Sequence, residues 1–288
     1  MYCCLRIKKT VCLVLAFVVL LLLPAAALMR SAAAASEPAD TVSLPIIMYH
    51  SLLKDPARQG KYIVSPDDFE SDLRYLQENG YTTVVMQDVI DYVIDGRPLP
   101  EKPIVLTFDD GHYNNYVYAF PLLKAYDSRI VISPVGAYTD QYSETGERNA
   151  NYSYLVWEDL RTMQESGYVE LQNHTYAMHN SKGGRKGAAR QRGESLEQYR
   201  QALSADLTRM QEQMAAHTGF TPTTFTYPFG AVSPESVPIL RELGFTATLT
   251  CEYHVNQLTH DPDCLYGLGR YLRPAGVDSA AFFSAILS

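Results

Sequence analysis

Asp109 and Asp110 close an apolar, β-prone run, Ile104-Val105-Leu106-Thr107-Phe108, and Gly111 follows at once. Adjacent carboxylates repel, so one of them must be held by a cation or stay protonated. A strand that carries them to its carboxyl end, with a glycine to turn the chain, presents them as barrel enzymes present catalytic groups. Alone, the segment would also serve as an ordinary Asp-Asp-Gly turn. Its weight comes from three further strand ends. Tyr168-Val169-Glu170-Leu171 leads into Asn173-His174-Thr175-Tyr176-Ala177-Met178-His179. Two histidines with a carboxylate make a His-His-Asp set suited to zinc or a similar divalent metal, with a position left for water. Thr224-Phe225-Thr226 closes in Tyr227-Pro228-Phe229-Gly230, a rigid turn able to hold a backbone N–H in place and shape an apolar pocket. Pro45-Ile46-Ile47-Met48-Tyr49 ends in His50.

These ends need a scaffold of alternating strands and helices. Ser65-Pro66-Asp67-Asp68 reads as an N-cap with proline in the first turn, followed by the apolar stripe Phe69, Leu73, Leu76 and a stop at Gly80. A strand is expected over 81–85, a helix over 113–126 kinked at Pro121, and a helix over 157–165 that stops near Gly167. The longest helix is expected over 194–217, burying Leu196, Tyr199, Leu203, Leu207, Met210 and Met214. A helix over 237–243 and a strand over 245–250 follow. Repeated strand–helix units point to a parallel α/β barrel.

At 288 residues the chain can hold one large α/β domain. Arg6, Lys8 and Lys9 precede an uncharged stretch from Thr10 to Met29 and then small residues up to Ala35. That order of basic, apolar and small residues marks 1–35 as a signal peptide or, since the apolar stretch is long, an N-terminal membrane anchor. Either way the remainder lies outside the cytoplasmic membrane, secreted or anchored at the cell surface. Residues 36–44 read as a linker and 45–288 as the catalytic domain. Without the first 35 residues the chain holds 20 basic and 32 acidic residues, a net charge of −12. That argues against nucleic acid or an anionic membrane as the main partner. A monomer is the expectation, with membrane contact only through the N-terminal segment. Cys251 and Cys264 remain beyond the targeting segment, able to pair in an oxidising compartment or to stay free.

Together the four strand ends resemble the polysaccharide deacetylases, carbohydrate esterase family four. Thr107-Phe108-Asp109-Asp110-Gly111 matches the family's first motif, T-F-D-D-G, letter for letter. The second motif, H-[ST]-x-x-H, appears with one residue more between its histidines, as His174 and His179. The third, R-x-P-Y-G, has Thr226 in place of the arginine and Phe229 in place of the tyrosine. The longer histidine spacing and the early Met48-Tyr49-His50 strand are similar to the circularly shifted subgroup that includes poly-N-acetylglucosamine deacetylases. The resemblance covers about residues 44–275 and implies a single-domain, distorted (β/α) barrel of about seven strands.

It also implies roles. Asp110, His174 and His179 would bind a divalent metal, zinc first, with cobalt or nickel as alternatives. Asp109 would be the general base and His50 the general acid, with His260 in reserve. Phe229, through its backbone N–H, and Tyr227 would serve the oxyanion and substrate. The missing motif arginine would be replaced by Arg270, with Arg273 as the other choice. The implied reaction removes N-acetyl groups from an extracellular N-acetylglucosamine polymer, whether poly-N-acetylglucosamine, peptidoglycan or a chitin-like chain. Alternatives are an O-acetyl esterase on a xylan-like glycan and a catalytically silent carbohydrate-binding protein. The basic stretch from Lys182 to Arg192 follows His179 and reads as a solvated loop or a steering surface for an anionic polymer. Trp157 and the tyrosines could stack on sugar rings or pack in the core. His112 is expected at the rim, His217 at a helix end, and His254 in a polar loop.

Overall fold

The computed structural model describes residues 41–287. The targeting segment expected over 1–35, with Cys3, Cys4 and Cys12, lies outside the described residues. No helix among the described residues is long and apolar enough to cross a membrane.

In chain order the elements begin with β1 (Val42–Leu44), β2 (Ile46–Tyr49), β3 (Ser51–Leu52), β4 (Ile63–Val64), α1 (Pro66–Glu78), β5 (Thr82–Val84), α2 (Met86–Asp95) and β6 (Pro103–Asp110). They continue with α3 (Phe120–Ala125), β7 (Ile130–Pro134), α4 (Gly136–Thr145), α5 (Trp157–Glu165), β8 (Val169–Leu171) and α6 (Leu196–Thr218). The last are β9 (Thr224–Thr226), α7 (Ser236–Glu242), β10 (Ala247–Leu249), β11 (Asn256–Leu258), β12 (Tyr271–Leu272) and α8 (Ser279–Leu287). The first strand falls inside the stretch expected as linker, because Val42–Leu44 pairs antiparallel with β11.

Five strands run parallel in the order β12-β2-β6-β7-β8, with β5 on the first half of β6. A parallel bridge from Asn173 to Phe225 joins the end of β8 to β9, β9 pairs parallel with β10, and a bridge from Leu249 to Leu268 leads back towards β12. Seven strands thus follow one another around a distorted barrel that is joined at two seams by single bridges. The site residues sit at or near the carboxyl ends of these strands, the face that barrel enzymes use.

Local chemistry accounts for the helices. Ser65 caps α1, its hydroxyl accepting from the Asp68 N–H at 2.9 Å while Asp68 answers the Ser65 N–H. Tyr199, Leu203, Leu207, Met210 and Met214 of α6 are buried, at the spacing of one helix face, but Leu196 is 48% exposed. It is the first residue after the Ser195 cap, before the helix turns its apolar side to the core. The expected helix over 113–126 runs unbroken over 113–125 and holds a π segment at Asn115–Ala119 just before Pro121, where the wider turn takes up the proline's missing N–H and its ring. At the end of β6, Asp110 and Gly111 take positive φ, +69° and +75°. A Cβ on Gly111 would come within 2.8 Å of Pro134 Cβ, so glycine is required for the turn that presents the carboxylates.

Candidate active site

The strand ends converge on one cleft of about 760 Å³. His50, Asp109, Asp110, His174, His179 and Phe229 all line it. The ligand atoms of Asp110, His174 and His179 lie within 4.8 Å of one another. His179 Nε2 is 3.1 Å and His174 Nε2 3.5 Å from Asp110 Oδ1, and that buried oxygen has no hydrogen-bond partner. The Nδ1 of His174 donates to the Thr226 carbonyl at 2.8 Å, which sets the tautomer and leaves the Nε2 lone pair facing the cluster. Two imidazole nitrogens and an unpartnered carboxylate oxygen on one point are a donor set that fits zinc or a similar divalent ion.

Asp109 is buried and tied to Arg270 by two parallel bonds, Nη1 to Oδ1 at 2.7 Å and Nη2 to Oδ2 at 2.9 Å. Arg270 is itself fully buried. Its Nη1 also reaches Thr107 Oγ1 at 3.1 Å and its Nε donates to the Thr250 carbonyl at 2.8 Å. The guanidinium thus reaches Asp109 from the far end of the chain, 161 residues on. Arg273 goes elsewhere, to a buried pair with Asp72 at 2.9 Å that also receives the Tyr49 hydroxyl.

Burial works against a charge on either carboxylate. For Asp109 the Arg270 guanidinium and His174 outweigh it and hold the acid below the usual range. For Asp110 the surrounding histidines do so more strongly. Burial and the neighbouring His174 push His179 down, favouring the neutral, ligating imidazole. His50 is also pushed down, burial exceeding the opposite pull of Asp109 and Asp110. Its Nδ1 is buried without a partner, its ring meets Tyr62 edge-on at 4.9 Å, and Asn115 holds its backbone carbonyl at 3.0 Å.

Phe229 adopts φ +58° and its ring lies 4.5 Å from that of His179. Tyr227 is not brought to the cleft. Its ring is buried in an apolar cluster with Phe225, Ile239 and Leu240, and its hydroxyl bonds Ser236 Oγ. His260 is directed to the Tyr92 carbonyl at 3.2 Å, away from the cleft. His217 stacks on Trp157 at 4.9 Å, and Trp157 donates to Asp140, so that tryptophan packs inside rather than on a sugar. His254 lies against Gly269, and His112 lines the cleft with Nε2 3.5 Å from Asp110 Oδ2. Cys251 lines the cleft and both it and Cys264 are free. In the basic loop, Arg185 pairs with Glu194 and Arg190 with Glu235, while Lys186 reaches the cleft.

Three supports were not singled out from sequence: the Thr107 hydroxyl on Arg270, the Thr226 carbonyl on His174, and Asn115 behind His50. Thr107 lay inside the quoted motif. A carbonyl acts through fold alone and leaves no side-chain signal.

Comparison with known proteins points to one family. The family model described as polysaccharide deacetylase matches residues 96–248. A poly-β-1,6-N-acetyl-D-glucosamine N-deacetylase of Escherichia coli K12 is 28% identical over 224 residues, 72% of this chain and 33% of that protein. The chain therefore spans about a third of the length of that curated relative. A de-N-acetylase structure from Aggregatibacter actinomycetemcomitans superposes with a TM-score of 0.70 at 27% identity, covering 84% of this chain and 98% of that one. The structure of IcaB from Ammonifex degensii gives 0.67 at 27% identity, covering 80% and 91%.

Proposed function

The chain belongs to the polysaccharide deacetylase family, and from that premise we propose that it hydrolyses N-acetyl groups on an extracellular N-acetylglucosamine-containing polysaccharide. The observation that carries the reading is the pairing of two adjacent carboxylates with different partners: Asp109 held by Arg270, Asp110 facing two histidines. Neighbouring acids with divided environments are what one site needs to keep a base and a ligand apart.

Asp110, His174 and His179 would hold a divalent metal, with zinc the best match to the donors. When bound, such an ion polarises a carbonyl and lowers the pKa of water. Asp109, kept ionised and fixed by Arg270, takes a proton from the attacking water. The water oxygen bonds to the acetyl carbon, and the backbone N–H of Phe229 faces the developing oxyanion. Collapse breaks the C–N bond, and His50 passes to the leaving nitrogen the proton that Asp109 drew from the water. Acetate and a free amine result. Four exposed aromatic side chains, Tyr62, Tyr152, Phe229 and Tyr253, line the cleft and offer flat apolar faces to sugar rings.

On this reading residues 1–35 direct the chain across the cytoplasmic membrane, residues 45–288 form the catalytic domain, and the protein works as a monomer. The N-acetyl specificity is tested by acetate release from β-1,6-linked N-acetylglucosamine oligomers beside acetylated xylan. Faster release from the N-acetyl substrate is expected. Release from xylan alone would replace the reading with an O-acetyl esterase.

A further inference from the structure

The lining of the cleft is basic in a protein of net charge −8. Arg58, Lys61 and Lys186 stand in it, and none pairs with a carboxylate among the described residues. The carboxylates in the same lining are Asp109 and Asp110. Asp109 is neutralised by Arg270, and Asp110 faces the two histidines. Asp55, which accepts from the Ala57 N–H at 3.0 Å, and Glu147, which receives the Tyr152 hydroxyl, do not line the cleft.

Two of the cations sit on held backbone or held side chains. Arg58 donates Nη2 to the Asn151 carbonyl at 2.9 Å, spanning two loops. Lys186 precedes Gly187, whose N–H bonds the Asn180 carbonyl at 2.9 Å and where a Cβ would meet the Pro228 carbonyl at 2.7 Å. The Arg185–Glu194 and Arg190–Glu235 pairs pin the loop on either side. Lys61 lies over the ring of Tyr62 at 5.1 Å. A cleft that needed only to hold a neutral sugar chain gains nothing from three unpaired cations, whose mutual repulsion costs free energy.

We infer that the cleft takes an anionic glycan, an N-acetylhexosamine polymer that carries a carboxylate or phosphate close to the reacting acetamide, with Arg58, Lys61 and Lys186 as its recognition groups. The inference rests on the deacetylase reading above and narrows its substrate. The cations supply the anion's contacts, and the aromatic faces of Tyr62 and Tyr152 hold the rings between them.

Binding is measured on the full chain carrying Asp109→Asn, so that turnover is not needed. The probes are oligomers of equal length: neutral β-1,6-linked N-acetylglucosamine, alternating N-acetylglucosamine and glucuronic acid, and N-acetylglucosamine joined through phosphodiesters. At least one anionic oligomer is expected to bind ten times or more tighter than the neutral one at low salt. The gap should close at high ionic strength, and the tighter of the two identifies carboxylate or phosphate. Lys61→Glu with Lys186→Glu should cut the ratio of anionic to neutral affinity at least tenfold, whereas Lys124→Glu, an exposed reversal on α3, should not. Equal binding of neutral and anionic oligomers, or a preference that survives the double reversal, would overturn the inference. Acetate release by the unmodified chain is read in parallel. Failure of every substrate to lose acetate, with the binding preference intact, would remove the deacetylase reading and leave the anion site standing.

Discussion

At the scale of single residues the account turns on Arg270 and His50. Arg270 and Asp109 are both buried, and their bidentate pairing fixes the carboxylate as well as its charge. Arg270→Ala should lower kcat on the order of 100-fold, the scale of a disturbed general base. It should also cost about 3–5 kcal/mol of stability, because Asp109 is left charged and unpaired. Metal content, measured by atomic spectroscopy, should stay at the level of the unmodified chain, since Arg270 makes no contact with Asp110, His174 or His179. A loss of metal in parallel with activity would assign Arg270 to the metal cluster instead. His50→Ala separates acid catalysis from packing. An amine leaves poorly without a proton and a nitrophenolate leaves well, so hydrolysis of N-acetyl sugar should fall on the order of 100-fold or more. Aryl acetate hydrolysis should fall much less. Equal losses on both substrates would take the acid role from His50.

At the scale of elements, the site depends on strands being held at the right height. Glu170, on β8, accepts from the first N–H groups of α2, Met86 at 3.1 Å and Gln87 at 2.9 Å, and so ties that helix to the barrel. Burial raises its pKa to about 7, against the pull of Gln172 and those N–H groups. The folded protein thus keeps a proton that the unfolded chain loses near pH 4.5, and stability should fall as pH rises from about 4.5 to about 7. The full effect is at most about 3 kcal/mol. Glu170→Gln should remove that slope in urea denaturation followed between pH 5 and 7.5, and an unchanged slope would mean that other groups set it. Much at this scale was legible from pattern. The Ser65 cap, the buried stripe of α6 and the β6 run ending in Asp109 and Asp110 carry local signals that tertiary packing then obeys. Short elements were not. The strand β1 gains its identity only by pairing with β11 more than 200 residues on, and the π turn at Asn115–Ala119 has no spacing that marks it.

At the scale of the whole molecule, the chain brings together groups that are far apart in sequence. Asp109 and Arg270 are 161 residues apart, and Thr226 holds His174 across 52. Side-chain type and motif order were enough to gather Asp109, Asp110, His174 and His179, because the two aspartates close one recognisable apolar run and the two histidines follow another. As the partner of Asp109 the sequence offers Arg270 first and Arg273 second, two residues that differ only by position. The barrel decides between them by turning one towards β6 and the other towards α1. Tyr227 shows the converse, a residue of suitable chemistry in a matching motif whose ring the fold buries against Ser236. The direct test of the central claim is acetate release from N-acetylglucosamine oligomers by metal-stripped protein before and after zinc is restored, beside Asp109→Asn. Release that appears only with zinc and is lost in Asp109→Asn, while the variant still binds zinc, is the predicted result; release that persists in the stripped protein or in Asp109→Asn would contradict the account.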